Sequence, residues 1–486
     1  MKSKANKRLR RKLFIGVVLL ALIGGAVALW LHRIEERRLA AVAKIYPPPA
    51  YAFYRAISES DAAPPAEVLS ALAQLNLNAN PFDSLEVFDE LLQQHEKNLS
   101  QDPEWSRLSS LTEAYEFSFV AWSKEDNEAL GFLLAEHSGF ITKIREAAAR
   151  GGPVRRLNVG TGEQLKIPQL TPFRDFARLL RADAVYNSSK GNYTEVEADL
   201  LAMAQLGETL ASEPMFISQM FRILMTDILF STVEDVMELG DLPPASLRSL
   251  VEELDGMYHR EAFAHSFQGE ATFVLDIYRA VREGETSLDE ITVSTHTDVS
   301  SVSGSWGGAL ESMANMVVSV FEGFSSSLKG SVFGIPAFRI DETRYAETMH
   351  SLIAANALPY YRAEPLIQAI EQNIELTFSR DSTSRSIIAG FVRMGDNQAR
   401  HEAKLDLIRI ACALELYRNE HNVYPEILES IADTLGGEIP VDPFVGTAYQ
   451  HSLTDDGFFL YSVGDNLVDD QGTHDVRKGD LVWRGE

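Results

Sequence analysis

The spacing of apolar and polar positions divides the chain into stretches of different character. The first carries no charge. Leu13 to Leu31 reads LFIGVVLLALIGGAVALWL, and as a helix rising 1.5 Å per residue it spans roughly 28 Å, the thickness of a bilayer core. From about residue 67 to 290 apolar residues recur every three or four positions, as in Leu85, Phe88, Leu91 and Leu92, or Phe173, Phe176, Ala177, Leu180 and Ala184. That period predicts amphipathic helices. Breakers separate them at Gly151-Gly152-Pro153, Gly191-Asn192, Glu213-Pro214 and Pro243-Pro244. Phe173 to Leu210 predicts two helices meeting at Lys190-Gly191-Asn192-Tyr193, an antiparallel helical hairpin. Such hairpins can stack as a solenoid, although no 34-residue period is sustained; an irregular bundle fits the same pattern. Between Ser294 and Gly334 serine and glycine replace the periodicity, which predicts an irregular insertion. Helices are expected again from Asp341 to about Thr377, interrupted at Pro359 and Pro365.

Charge orients the first stretch. Lys2, Lys4, Lys7, Arg8, Arg10, Arg11 and Lys12 precede it, whereas Arg33, Arg37 and Arg38 after it are partly balanced by Glu35 and Glu36. This bias keeps the N-terminus cytoplasmic and sends the body out. Trp30 suits the headgroup level at the far end. Ile34 to Lys44 continues as a short charged helix until Pro47-Pro48-Pro49, and Asp61 to Pro65 forms a second break, with Pro64 and Pro65 opening the next helix. A cleaved signal is the rival reading, since Ala26-Val27-Ala28 resembles a peptidase site and Arg10-Arg11 is a twin arginine. The apolar run continuing through Leu29, Trp30 and Leu31 favours an uncleaved anchor.

With 70 acidic against 44 basic residues, ten of the basic ones within the first forty positions, everything after the anchor is strongly acidic. A body of that sign repels phosphate backbones and argues against nucleic acid as a partner. The single cysteine, Cys412, leaves no intramolecular disulfide available; among Leu405, Ile408 and Leu416 it reads as a buried thiol.

The last segment changes pattern from about Gly395. Ala413-Leu414-Glu415-Leu416-Tyr417 ends a helix, followed by Asn419-Glu420-His421-Asn422-Val423-Tyr424-Pro425 and Pro440-Val441-Asp442-Pro443-Phe444. Pro425 suits the first turn of a helix through Leu435, and Asp442-Pro443 a turn into a strand from Ala448 to Leu453. Thr454-Asp455-Asp456-Gly457 reads as a hairpin loop to Phe458-Phe459-Leu460-Tyr461-Ser462. The tail then runs from Gly464-Asp465 to Gly472-Thr473-His474-Asp475 and Gly479-Asp480-Leu481-Val482-Trp483. Asp465, Asp469, Asp470, Asp475 and Asp480 crowd sixteen positions, and oxygen ligands on a flexible loop suit Ca²⁺. The spacing is not that of an EF-hand.

In motif order and spacing these last 90 or so residues resemble the globular domain of the major pseudopilins of type II secretion. The resemblance implies a small α+β domain with a β-meander and a calcium loop, whose ligands fall by position on Asp465, Asp470, Asp475 and Asp480. Arg477 and Lys478 depart from that family's loop. The apolar helix also lacks the glutamate that pseudopilins carry near its start, and some 360 residues part it from the tail, so polymerisation as a pilus is not expected.

No catalytic motif stands out. His259 and His265 lie six apart and diverge around a helix; Ser326-Ser327-Leu328-Lys329 has the SxxK spacing but sits in the serine-rich stretch. Gly160-Thr161-Gly162 is no dinucleotide fingerprint, and His95 and His137 read as structural. The expectation is a mainly α protein: a cytoplasmic basic tail over 1–12, a single N-terminal transmembrane helix over 13–31, a juxtamembrane stalk over 32–66, a helical domain over 67–290, an insertion over 291–335, completing helices over 336–394 and a pseudopilin-like domain over 395–486. Its expected role is that of a non-enzymatic envelope scaffold, held in lipid through residues 13–31 with its body periplasmic or extracytoplasmic, engaging secretion or other envelope proteins. The alternative is an exported hydrolase using carboxylates of the helical body such as Glu197 and Asp199.

Overall fold

A computed structural model describes residues 81–114, 124–151, 170–211, 213, 215–257, 260–283, 334–378, 383–392, 395–455, 457–473 and 479–483, together with nine positions between 25 and 38. Most of the apolar run, the break at 61–65, Gly160–Gly162, His259, the insertion, Asp475, Arg477 and Lys478 lie outside the described residues.

The body is helical where the period of apolar residues demanded it. Four helices, α1 (Pro81–Gln101), α2 (Pro103–Ala114), α3 (Lys124–Glu136) and α4 (Ser138–Arg150), form its first part. Asp102 separates the first two, its Oδ1 accepting the backbone N–H groups of Glu104 at 3.0 Å and Trp105 at 3.3 Å, while Pro103 takes the first helical position. That placement suits both residues, because the cap satisfies free donors and proline has none to satisfy. Helices α5 (Thr171–Ser188) and α6 (Tyr193–Thr209) form the expected hairpin and turn at Gly191, whose φ of 74° is cheap only for glycine. Helix α7 (Phe216–Leu239) follows, and the turn at Pro243 leads into α8 (Pro244–Asp255), with Pro244 in its first turn.

Helix α7 is long and apolar enough to cross a membrane, yet it is the core helix of the body, packed by α5, α6, α9 (Arg260–Glu283) and α13 (Gly395–His421). Past the insertion, α10 (Gly334–Asn356) begins seven residues before the expected Asp341, with Pro336 in its first turn, and α11 (Tyr360–Thr377) and α12 (Thr383–Val392) complete the body. Pro359 breaks the chain as expected. Pro365 does not: it lies inside α11, where it deprives only the Tyr361 carbonyl of its helical partner, a loss that packing of Ala363, Ile367 and Ile374 against the body outweighs.

The tail is built on α13. Leu405 through Leu414 are all buried, because α7 and α8 cover one side of this helix and the sheet the other. Strands β1 (Gln450–Leu453), β2 (Phe458–Ser462) and β3 (Leu481–Trp483) form an antiparallel meander in sequence order, with Leu453 opposite Phe458 and Leu460 opposite Trp483. The β1–β2 connection is the expected Thr454–Gly457 loop, closed by the Thr454 N–H donating to the Gly457 carbonyl at 3.0 Å. Asp442 turns the chain as predicted, accepting the Phe444 N–H at 2.9 Å, and Val441 bridges Ala448. The segment after Pro425 departs from expectation: it is a 3₁₀ helix over Leu428–Leu435, with Pro425 outside it. Cys412 is free, buried and, desolvated there, holds its proton well above the ordinary thiol range.

The Trp483 ring meets Phe230 of α7 edge-on at 5.2 Å between centroids, so tail and body share one apolar core. The chain is mainly α with a small three-stranded antiparallel sheet.

Candidate functional site

Three groups of polar side chains occupy places where apolar residues would be expected. The first joins α4, α5 and α6. Arg145 lies four residues after Ile141 and three before Ala148, on the buried stripe of α4, and Asp199 lies between Val196 and Met203 on that of α6. The Arg145 guanidinium donates to Asp199 Oδ1 and Asp183 Oδ2, both at 2.8 Å, and to the half-exposed Glu195. Asp199 is wholly buried, and its second oxygen has no donor facing it. The Asp183 and Asp199 carboxyls contact one another. Burial and this neighbour outweigh Arg145 and push Asp199 well above the usual carboxylate range; burial raises Asp183 as well. Repulsion from the adjacent Asp183 carboxyl thus adds to burial at Asp199.

Glu197, named beside Asp199 in the sequence, does not join this cluster: its carboxylate accepts the Ser246 hydroxyl at 2.6 Å. The two side chains leave α6 about 200° apart and serve different contacts.

The second group surrounds Trp105. His95 Nε2 lies 3.1 Å from Asp175 Oδ2, and His137 lies 2.8 Å from the Leu133 carbonyl and 3.3 Å from Asp102 Oδ2. Both imidazoles present edges to the indole, at 5.5 and 5.4 Å between centroids. These are the structural roles expected of His95 and His137, tying α1, α2, α4 and α5 together. His265 is half-buried and its desolvated ring is held below the ordinary histidine range.

Near the start of α7 a further carboxyl is displaced. Glu270 of α9 accepts the Phe216 N–H at 3.0 Å, and burial lifts it to about 7 against the effect of that hydrogen bond. A carboxyl raised from 4.5 contributes stability that is fully present below pH 4.5 and is lost as pH rises through about 7. Glu270→Gln keeps an acceptor for Phe216 without the charge. It should therefore flatten the fall in stability between pH 5 and 8 and raise stability at pH 8 by about 2 kcal/mol, after discounting the full shift for partial exposure. Urea titrations at several pH values check this; parallel curves for the two proteins would refute the assignment.

The third group is the terminal loop, which carries the aspartates expected to bind calcium. Asp465 forms an ion pair with Arg400 at 2.8 Å, and its Oδ1 is buried without a partner among the described residues. Asp469 accepts the Tyr461 hydroxyl at 3.0 Å and the Gln471 N–H at 2.9 Å. Asp470 accepts the Asn466 amide at 2.7 Å. Asp480, fully buried, accepts the N–H groups of Asp470 at 3.4 Å and Gly472 at 2.6 Å. Among the described residues, these carboxylates do not form a cluster able to hold a metal ion, and each already faces a donor of the chain.

Sequence reasoning did not find Arg145, Asp183, Arg400 or Glu270. A trace existed for the first: a charge on an apolar helical stripe is a sign of burial. No local trace distinguishes the others, whose partners lie 38 residues away in Arg145–Asp183, 54 in Phe216–Glu270 and 65 in Arg400–Asp465.

Compared with known proteins, the chain matches no family, no curated protein and no solved structure.

Proposed function

We propose that this chain is a membrane-anchored envelope protein whose helical body rigidly presents a pseudopilin-like tail to a protein partner, as a non-enzymatic scaffold linked to secretion or pilus-like machinery. Residues 13–31 hold it in lipid, with the body on the periplasmic or extracytoplasmic side. The observation that carries the reading is the distribution of exposed apolar side chains. Of fourteen large exposed hydrophobics among the described residues, six, Val423, Ile427, Val441, Leu453, Leu467 and Val468, belong to the tail. Apolar surface left in water within a small module is the usual signature of a docking face. The rigid seat of α13 between α7, α8 and the sheet fixes that surface relative to the body.

The membrane side of the reading has its own support. Leu29 and Trp30, at the end of the apolar run, are exposed on a helix, as lipid-facing residues are. Farther along, Arg38 donates twice to Glu347 of α10, at 3.1 and 2.6 Å.

The test is a comparison of crosslinked partners recovered from intact envelopes with the natural chain and with the double variant Val423→Glu, Ile427→Glu. Both residues are about 60% exposed, so the variant should fold with an unchanged melting temperature and lose its partners by about tenfold or more. Equal recovery would remove the tail as the docking face. A protease-shielded body in spheroplasts would overturn the topology.

A further inference from the structure

Building on the reading of the tail as a docking module, we propose that its partner adds an extended, basic segment to the outer edge of β1 as a fourth strand. β1 ends the sheet on one side, since the strand order is β1-β2-β3. The Thr454 N–H donates to the Gly457 carbonyl, which makes that pair hydrogen-bonded, and the alternation of an antiparallel ladder then turns the N–H and C=O groups of Ser452 and Gln450 toward β2. Those of His451 and Leu453 point the other way. Nearer the start of the strand the edge is covered, by Val441 bridging Ala448 and by the Asp442 N–H donating to the Thr447 carbonyl at 2.8 Å. Past it, the outward backbone groups of His451 and Leu453 meet no partner among the described residues. An edge of that kind is a template for another extended chain.

The side chains suit the same occupant. Leu453, 45% exposed, lies opposite Phe458, whose ring meets Tyr424 edge-on at 5.2 Å, so an incoming strand sets its own apolar side chain beside an aromatic layer already built. Val441, 51% exposed, stands at the other end.

Charge fixes the sign of the partner. From Asn419 to Thr473 the sequence holds eleven acidic residues and no lysine or arginine. Glu426, Glu429, Asp433, Glu438 and Asp455 are exposed, and among the described residues no cation pairs with them. Glu438 lies three positions before Val441 and Asp455 two after Leu453, so acid flanks both apolar residues of the edge. Lysines or arginines on an incoming strand complement that field, whereas a second copy of this chain would bring two acidic tails together.

The experiment titrates the full chain in nonionic detergent with a fluorescent alternating Lys–Val octapeptide, read by anisotropy. A Glu–Val octapeptide, and a Lys–Val octapeptide N-methylated at every second residue, should each bind about tenfold more weakly or worse, the first for its charge and the second for its lost edge donors. Leu453→Pro takes away an outward N–H and leaves those that bond β2, and it should weaken the Lys–Val peptide by about tenfold. The double variant Glu438→Gln, Asp455→Asn leaves the backbone untouched and should weaken it about threefold, so the proposal is tested even if the proline unfolds the strand. A Lys–Val peptide that does not bind, or binds equally well when N-methylated or to the Leu453→Pro chain, would overturn the strand addition; so would a dimer of the chain that Leu453→Pro dissolves. In the envelope crosslinking, partners kept by Leu453→Pro but lost by Val423→Glu, Ile427→Glu would sink the edge and leave the docking tail standing. Partners kept by both variants would remove the docking tail itself.

Discussion

Arg145→Leu should cost the protein about 3–5 kcal/mol at neutral pH, the usual loss when one partner of a buried ionic network is removed. The residue pairs with Asp183, Asp199 and Glu195 together, and without it the two carboxyls buried between α4, α5 and α6 lose the cation they share. The sign of the pH dependence follows from the direction of their shifts. Asp183 and Asp199 are both raised in the folded state, so the fold prefers them protonated, and their contribution to stability is lost as pH rises through their folded values. The Arg145→Leu penalty should therefore be small near pH 4 and grow toward pH 8. Adding Asp199→Asn should recover part of it, because the amide leaves no second charge buried beside Asp183, and Asp199→Asn alone should make the natural chain less sensitive to alkaline pH. Denaturant titrations of the four proteins form a double-mutant cycle. A penalty below 1 kcal/mol, or one that does not vary with pH, would mean that the cluster is open to water and the pairing drawn from its geometry is wrong.

Trp483→Ala should be comparably severe, about 3–5 kcal/mol, as for other large aromatics removed from a core. Its indole is buried on the last strand and meets Phe230 on the central helix of the body, so the cavity would open between the two parts of the molecule. The second expectation is cooperativity. If tail and body are one folding unit, amides of β2, α7 and α13 should exchange faster by the same factor in the variant. Acceleration confined to β2 would show a tail that folds and unfolds by itself.

The extent to which the sequence foresaw these features differs by the range of the interaction. Helix positions followed from the apolar period, and the turns at Gly191, Pro243 and Thr454–Gly457 from residues whose local geometry leaves little choice. Cys412 was legible as buried because its neighbours at helical spacing are apolar. Pro365 misled because a proline near the start of a helix removes one hydrogen bond, and only the packing of Ala363 and Ile367 decides whether that matters. The helix expected from Pro425 through Leu435 is a 3₁₀ helix that begins only at Leu428, because apolar spacing over so short a run fixes neither the helical form nor its first turn.

The acidic loop illustrates the boundary. Crowded aspartates are visible in any reading of residues 465–480, but whether they face a cation, water or the chain's own donors depends on Arg400, 65 positions earlier, and on amides oriented by the closed backbone. Likewise Asp199 is a lone acid in the sequence and the centre of a three-helix ion cluster in the fold. What the amino-acid order alone determined was local: helices, their breaks, the anchor-like apolar run and the acidic charge of the body. The pairing of buried charges and the fusion of tail to body were decided by tertiary structure, because an ion pair or a ring contact depends on which surfaces meet in space, and that meeting leaves no period in the chain.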